Sequence, residues 1–423
     1  MTRLAAPPTG PVPAFLEARP VLRSDLQVSD RTWHGPRAVR LVRDPVAERT
    51  HEIGVREHFL LTRLDGSATL ARIGRDYERE LGRTIDAAGW QQLLGLAHAR
   101  GLLAVPGDPV AAPGPTPAPT PRRSGSLLQG ELAVVEDGSR LADRLLSGPL
   151  RPLRHLPARA SVVVTVLALA TMLALLAGDL PRLLDGVGDA VRRPWLVVAT
   201  VAVLWVSGAL HELGHGVVAR AHGGTVRELG ISWRLPMAIP FCRVEDYRFL
   251  PSVGARLATA GVGCLVNLAV LVPFAVAWAV TDPDSGVRPF LAAVLVLGAA
   301  LALLNLVPLA PLDGYVLLTH ATGTLGLTAA SQAYATQAVA ARLGGARAAD
   351  QRLAVSRYPR GLRRLYATYA VAAPLVVLAC VAAAVWVAAS AIPDSAGAWR
   401  WAGPLALALL AVAGLATTQR SRT

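Results

Sequence analysis

The sequence predicts a mainly α-helical, polytopic membrane protein of about six transmembrane helices, with a small α/β domain ahead of them and a membrane-associated β-hairpin between two of them. Three observations predict this class. Apolar residues make up 53% of the 423 and charged residues only 17%, whereas a soluble domain carries about 25% charged. The charges are also unevenly spread: residues 1–159 hold 22 Arg and 17 acidic residues, while the far longer stretch 160–423 holds 20 and 12. Between the charges of that second stretch lie uncharged runs of about 20 residues, the length a bilayer-crossing helix needs.

From the N-terminus, residues 1–28 are expected to be flexible. Residues 29–105 read as a small folded domain. Val39, Leu41 and Val42 suggest a strand, and Phe59, Leu60, Leu61 and Leu64 a short helix ending at Asp65-Gly66. A second helix fits Ala68–Leu81 and a third Asp86–Leu103, with Trp90, Leu93, Leu94 and Leu96 facing inward. Strand pieces with three short helices suggest a winged-helix-like module. The following segment, 106–130, is rich in alternating Pro and Ala and predicts a stiff, extended linker. Residues 131–159 place Leu141, Leu145, Leu146 and Leu150 among arginines, the pattern of an amphipathic segment lying on a membrane surface.

Six spans are expected, at roughly 160–178, 194–219, 257–281, 289–312, 366–392 and 399–417. Residues 321–365 form a loop between the fourth and fifth. The net charge of +13 comes from arginine alone, since the sequence has no lysine. These arginines concentrate before the first span, between the second and third, between the fourth and fifth, and after the sixth. That pattern excludes a nucleic-acid surface as their best explanation and, by the positive-inside rule, puts both termini in the cytoplasm. No signal peptide is expected, because a polar, Pro-rich stretch follows Met1. Cys242, Cys264 and Cys380 lie far apart with no CxxC, which excludes a disulfide framework and a cysteine-based metal site.

The chemistry is carried by exceptions to the apolar rule. Of the 12 acidic residues after position 160, only Glu212 and Asp313 fall within or at the inner end of an expected span. Ionisable groups at that depth are costly and usually functional. Glu212 belongs to His211-Glu212-Leu213-Gly214-His215. Residues four apart share a helical face, so both imidazoles reach one tetrahedral metal ion. Glu212, about 100° round the helix, is placed to take a proton from water at that metal. A catalytic zinc site needs a third protein ligand, and Asp313, in Asn305-Leu306-Val307-Pro308-Leu309-Ala310-Pro311-Leu312-Asp313-Gly314, is the strongest candidate. Pro308, Pro311 and Gly314 break regular helix there, as irregular backbone lining a protein cavity would. Asn267 is expected to hydrogen-bond between helices, and His222 and His320 to sit at the mouth of the site without ligating. His34, His51, His58, His98 and His155 have no partner spacing.

Together, HELGH (211–215) and NLVPLAPLDG (305–314) resemble the site-2 protease group of intramembrane zinc metalloproteases, over about residues 155–320. The resemblance implies one Zn²⁺ per chain held by His211, His215 and Asp313, Glu212 as catalytic base, and Asn305 as a donor to the substrate backbone or the developing oxyanion. It also implies that a hairpin between the second and third spans, signalled by the alternation of Leu229, Ile231, Trp233 and Leu235, offers an edge to an unwound peptide substrate. VEDYRFLP (244–251) and Gly223-Gly224 are similar to a bacterial subgroup of peptide zinc metalloproteases found beside genes for modified peptides, which implies leader-peptide removal at the cell inner membrane. No PDZ-like insertion is visible between the spans. HFLLTRLDGSATLARIGRDY (58–77) resembles a PqqD-like domain, which implies capture of a leader peptide. The competing expectations are a regulatory protease cleaving a membrane-bound signalling protein, and a non-proteolytic binding or export-accessory protein.

Overall fold

The computed structural model describes residues 14–104, 124–125, 128–151 and 158–390 except 236, 246 and 346, with short pieces at 397, 401–403 and 405–406. The chain divides into two units, one built from the residues up to and including Trp33 together with Ala38–Thr324, the other from His34–Arg37 and the residues after Thr324.

The first unit opens with a small α/β module. Its strands are β1 (Gln27–Val28), β2 (Thr32–His34), β3 (Arg37–Asp44) and β4 (Arg49–Gly54). β3 is central, because β1 pairs with its end at Val42–Arg43 and β4 pairs antiparallel along Val39–Asp44. Three helices follow: α1 (Val55–Leu61), α2 (Leu70–Leu81) and α3 (Ala87–Ala99). Their ends are written in the sequence. The Thr69 and Asp86 side chains accept from the backbone N–H of Arg72 and Gly89, and Gly82, in the left-handed region at φ 63°, closes α2. Leu60, Leu64, Leu70, Ile73 and Trp90 form the core. Leu96, expected inward, is exposed, and Ala97 takes the buried position one residue on.

The module also begins earlier than residue 29. Phe15, Leu16, Leu22 and Leu26 pack on its core, and the Leu22 N–H donates to the Leu64 carbonyl at 2.6 Å. Of the expected flexible N-terminus, only residues 1–13 lie outside the described residues. Most of the expected linker lies outside them too, but its end is structured. A short strand β5 (Ser124–Gly125) and β6 (Gln129–Val135) lead into α4 (Gly138–Ser147). The expected amphipathic segment at 131–159 is therefore part strand, because Leu132 and Val134 alternate with Glu131 and Ala133 before the helical pattern starts.

The membrane-type body contains α5 (Ala158–Gly178), α6 (Leu180–Val191), α7 (Pro194–Ala221), the hairpin β7 (Val226–Arg234) and β8 (Met237–Val244), α8 (Val253–Val280), α9 (Arg288–Asn305) and α10 (Asp313–Thr322). β9 (Thr324–Leu325) follows. The second unit contains α11 (Leu327–Leu343), α12 (Ala348–Ser356) and α13 (Arg360–Ser390), so the stretch expected as a loop at 321–365 is largely helical. Its aromatic cluster brings Tyr334, Tyr358 and Tyr366 together edge to face.

Among the described residues, α7, α8, α9 and α13 are long and apolar enough to cross a membrane. The count rises to five if α5 and α6, which meet at 80°, are one broken span. Among the described residues, six spans are thus not reached. The first expected span continues into α6, where Asp179, Asp185 and Asp189 disguise a helix whose Leu183 and Ala190 are buried. The sixth, at 399–417, falls largely outside the described residues. The core of the body is the packing of α5, α6, α8 and α9 around Leu268, Leu271, Val294 and Leu295. α7 lies against α8 and β8, which sets the position of the site.

Candidate metal centre

His211 and His215 sit one turn apart near the C-terminal end of α7, and Asp313 is the first residue of α10. The irregular backbone from Leu306 to Leu312 brings α10 back beside α7. His211 Nε2 and His215 Nε2 lie 3.1 and 3.3 Å from Asp313 Oδ2, and 3.1 Å from each other. Ligands on a tetrahedral ion with bonds of about 2.0–2.1 Å would stand about 3.3–3.4 Å apart. The spacing fits.

The donor set fits as well. His215 Nδ1 lies 2.6 Å from the Thr259 carbonyl oxygen, which can only accept. The proton is therefore on Nδ1, and Nε2 presents its lone pair. Asp313 Oδ2 is buried without a hydrogen-bond donor. Lone pairs converging on one point repel unless a cation lies between them, so this group can hold a metal ion. His211 Nδ1 is buried and makes no hydrogen bond, so of the two imidazoles only His215 has its outer nitrogen anchored.

Two glycines make the arrangement possible. A Cβ on Gly263 of α8 would stand 2.3 Å from His211 Cε1, so only glycine leaves room for that ring. At Gly314 a Cβ would meet the Leu306 carbonyl oxygen at 2.1 Å. That close approach lets α10 start directly beneath the end of α9 and puts Asp313 in reach.

Glu212 points to the other side of the pair. Its Oε2 accepts from the Cys242 backbone N–H at 3.0 Å, which ties it to β8. Burial pushes the Cys242 thiol up to about 12, with the Glu212 charge adding to it, so the thiol stays protonated and chemically quiet. Glu212, His211, Asp313, Asn267 and Asn305 border one cavity of about 250 Å³. Asn305, the last residue of α9, thus lies on the same cavity as the metal-type group. Asn267 is buried in α8, and its Oδ1 accepts from Ser207 Oγ of α7 at 3.1 Å. This bond leaves the Asn267 amide N–H₂ as the donor available to the cavity.

The hairpin is wider than a two-stranded ribbon. β6 pairs antiparallel with β7, giving a sheet in the order β5-β6-β7-β8 and leaving β8 as the edge near the cavity. Residues 238, 240 and 242 turn their backbone groups away from β7. Of these groups, the Ala238 carbonyl already accepts from Trp205 Nε1 at 2.9 Å, the Cys242 N–H is given to Glu212, and Pro240 has no N–H. The edge that faces the cavity is therefore partly satisfied by α7.

Of the residues singled out in the sequence, His211, Glu212, Asn305 and Asp313 border one cavity, and His215 joins His211 and Asp313 in the metal-type group beside it. His222 caps the C-terminus of α7 and His320 stacks on Tyr247 at 5.0 Å; neither joins the metal-type group. Ser207, Gly263 and the β6 strand were not anticipated. A single serine in an apolar span carries no spacing signal, and a glycine's role depends on the ring it faces across the helix pair. Compared with protein-family models, curated proteins and solved structures, the chain matches none.

Proposed function

We propose that this chain is a zinc-dependent intramembrane endopeptidase of the site-2 protease kind, hydrolysing a peptide bond of a membrane-proximal or precursor peptide. The observation that supports it most is the convergence of His211, His215 and Asp313 to within 3.1–3.3 Å, with Glu212 on the same helix and cavity. Zinc bound to these three side chains would supply Lewis acidity toward water and the scissile carbonyl. Glu212 takes the proton of the attacking water and returns it to the leaving amine. Asn305 and the Asn267 amide offer N–H donors to the oxygen on which negative charge develops. Ser207 orients Asn267 for that task.

The substrate enters as an extended chain beside β8. The Ala238 N–H and the Pro240 and Cys242 carbonyls remain for it, so recognition by strand addition is short and centred on Pro240. In this reading the N-terminal module is a winged helix that receives a leader peptide, both termini are cytoplasmic, and the protein resides in the bacterial inner membrane. Release of the leader from a ribosomally made peptide is the reaction that joins these parts.

The test is cleavage of membrane-tethered peptides by the purified full chain. Glu212→Gln is expected to keep one zinc per chain and lose about 10²–10⁴-fold in rate, the usual range for removing a general base. Cleavage by that variant at the wild-type rate contradicts the proposal.

A further inference from the structure

A second cleft, of about 280 Å³, lies between the small module and the body, away from the metal centre. Asp30 and Arg31 of the β1–β2 turn border it on one side, Arg248, Val253 and Arg256 on the second, and the C-terminal turn of α10 around His320 on the third. We propose that this cleft is a binding site for a phosphate group, presented by an anionic lipid headgroup at the start of α8.

Charge balance is the first argument. Three guanidiniums face one carboxylate. Arg256 is spoken for: it is buried, bonds Asp30 Oδ2 at 2.7 Å and donates to the Leu250 carbonyl at 3.1 Å. Arg248 and Arg31 have no carboxylate partner among the described residues, and Arg31 only lies over the Trp33 ring at 4.8 Å. Arg248 is half-buried, where an arginine without an anion is unfavourable, and burial, with the Arg256 charge behind it, holds it below its ordinary value although Tyr315 opposes the shift.

The remaining lining is suited to an anion. His320 is buried, and burial together with Arg248 and Arg256 pushes its imidazole down to about 3, so it is a neutral donor. Val253 is the first residue of the 28-residue helix α8, whose N-terminal end carries partial positive charge. The opposing dipole of α10 is muted because its last carbonyls are capped. The Gly323 N–H donates to the His320 carbonyl, Thr322 Oγ1 to Leu318, and the Trp33 N–H to Gly323.

Position argues for the lipid. α8 is a candidate span beginning at Val253, so the cleft stands at the level where headgroups meet an arginine-rich loop. Phosphate is the chemistry shared by a headgroup and a soluble phosphate, and the experiment separates the two. The purified full chain in neutral detergent is titrated with phosphatidylglycerol, phosphatidylcholine or inorganic phosphate, and retained ligand is read by native mass spectrometry. Phosphatidylglycerol is expected to be retained in preference to phosphatidylcholine, about tenfold more weakly by Arg31→Gln/Arg248→Gln, and normally by the exposed-site control Arg192→Gln. Retention of inorganic phosphate alone, lost in the same double variant, upholds the site and assigns it to a soluble phosphate. Equal retention of both lipids with no phosphate effect, or unchanged retention by the double variant, overturns it. Arg31→Gln alters an exposed side chain and supplies the test should Arg248 prove necessary for folding.

Discussion

Gly263 shows how narrowly the metal centre is defined at the scale of single residues. A methyl group there would occupy the space of the His211 imidazole, with contacts of 2.3–2.6 Å to three ring atoms. Gly263→Ala is therefore expected to turn His211 out of register and lower zinc affinity at least as much as loss of an outer-shell partner, about 10–100-fold. Metal content after dialysis checks it, and wild-type retention would show that the ring can shift at little cost. Ser207→Ala makes a subtler prediction. Loss of its hydrogen bond frees the Asn267 amide to rotate, so zinc content should hold while the cleavage rate falls about tenfold, a change of ~1.4 kcal/mol. The HELGH and NLVPLAPLDG spacings made the ligands legible because the chemistry fixes residue type and helical phase together. The residues that make room for them carry no such pattern: Gly263 is one small side chain among many in α8.

At the scale of elements, the sheet and the small module each support a prediction. Gly230 of β7 faces β6, and a Cβ there would lie 2.2 Å from the Leu132 carbonyl oxygen. Gly230→Ala should unpair β6, seen as faster amide hydrogen exchange over 129–135, with α7 and α8 unaffected. In the module, burial would raise the Asp44 carboxyl, but hydrogen bonds from Arg23 and from the N–H groups of Ala47 and Val46 outweigh it and hold it below the ordinary range. A lowered native pKa stabilises the fold above the unfolded value of about 3.9 and loses that contribution as pH falls through the native one. Asp44→Asn should thus destabilise the module at neutral pH by about 1.5–3 kcal/mol and flatten its acid unfolding below about pH 4. Unfolding followed at Trp90 over a pH series measures both. Helices α7 and α8 could be read within about four residues at each end, since uninterrupted apolar length is a strong signal; α9 ends at Asn305 instead of 312, because the apolar run continues through irregular backbone, and α13 begins at Arg360 instead of 366, because its first turn is rich in arginine. α6 could not, because its two aspartates and two glycines, with a third aspartate at its N-cap, resemble a loop; neither could β6, whose five alternating residues run straight into a helical pattern.

For the whole molecule, the apolar composition reflects helices suited to a bilayer, and the acidic exceptions converge on one cavity. The arginine excess is distributed among local tasks. Arg43 pairs with Glu245 at 3.0 Å, Arg227 joins Glu48 and Glu245, and Arg256 holds Asp30, so the small module is ion-paired to the hairpin and to α8. These contacts lie within the first unit, next to the hairpin whose edge borders the cavity. The proposal that this constellation cuts peptide bonds is tested most directly by removing the metal and putting it back. Stripped of metal by a chelator, the full chain should lose cleavage of a membrane-tethered peptide, and one equivalent of Zn²⁺ should restore it in wild type but not in Glu212→Gln. Cleavage that survives complete metal removal, or a stripped wild-type chain that takes up no zinc, would contradict it.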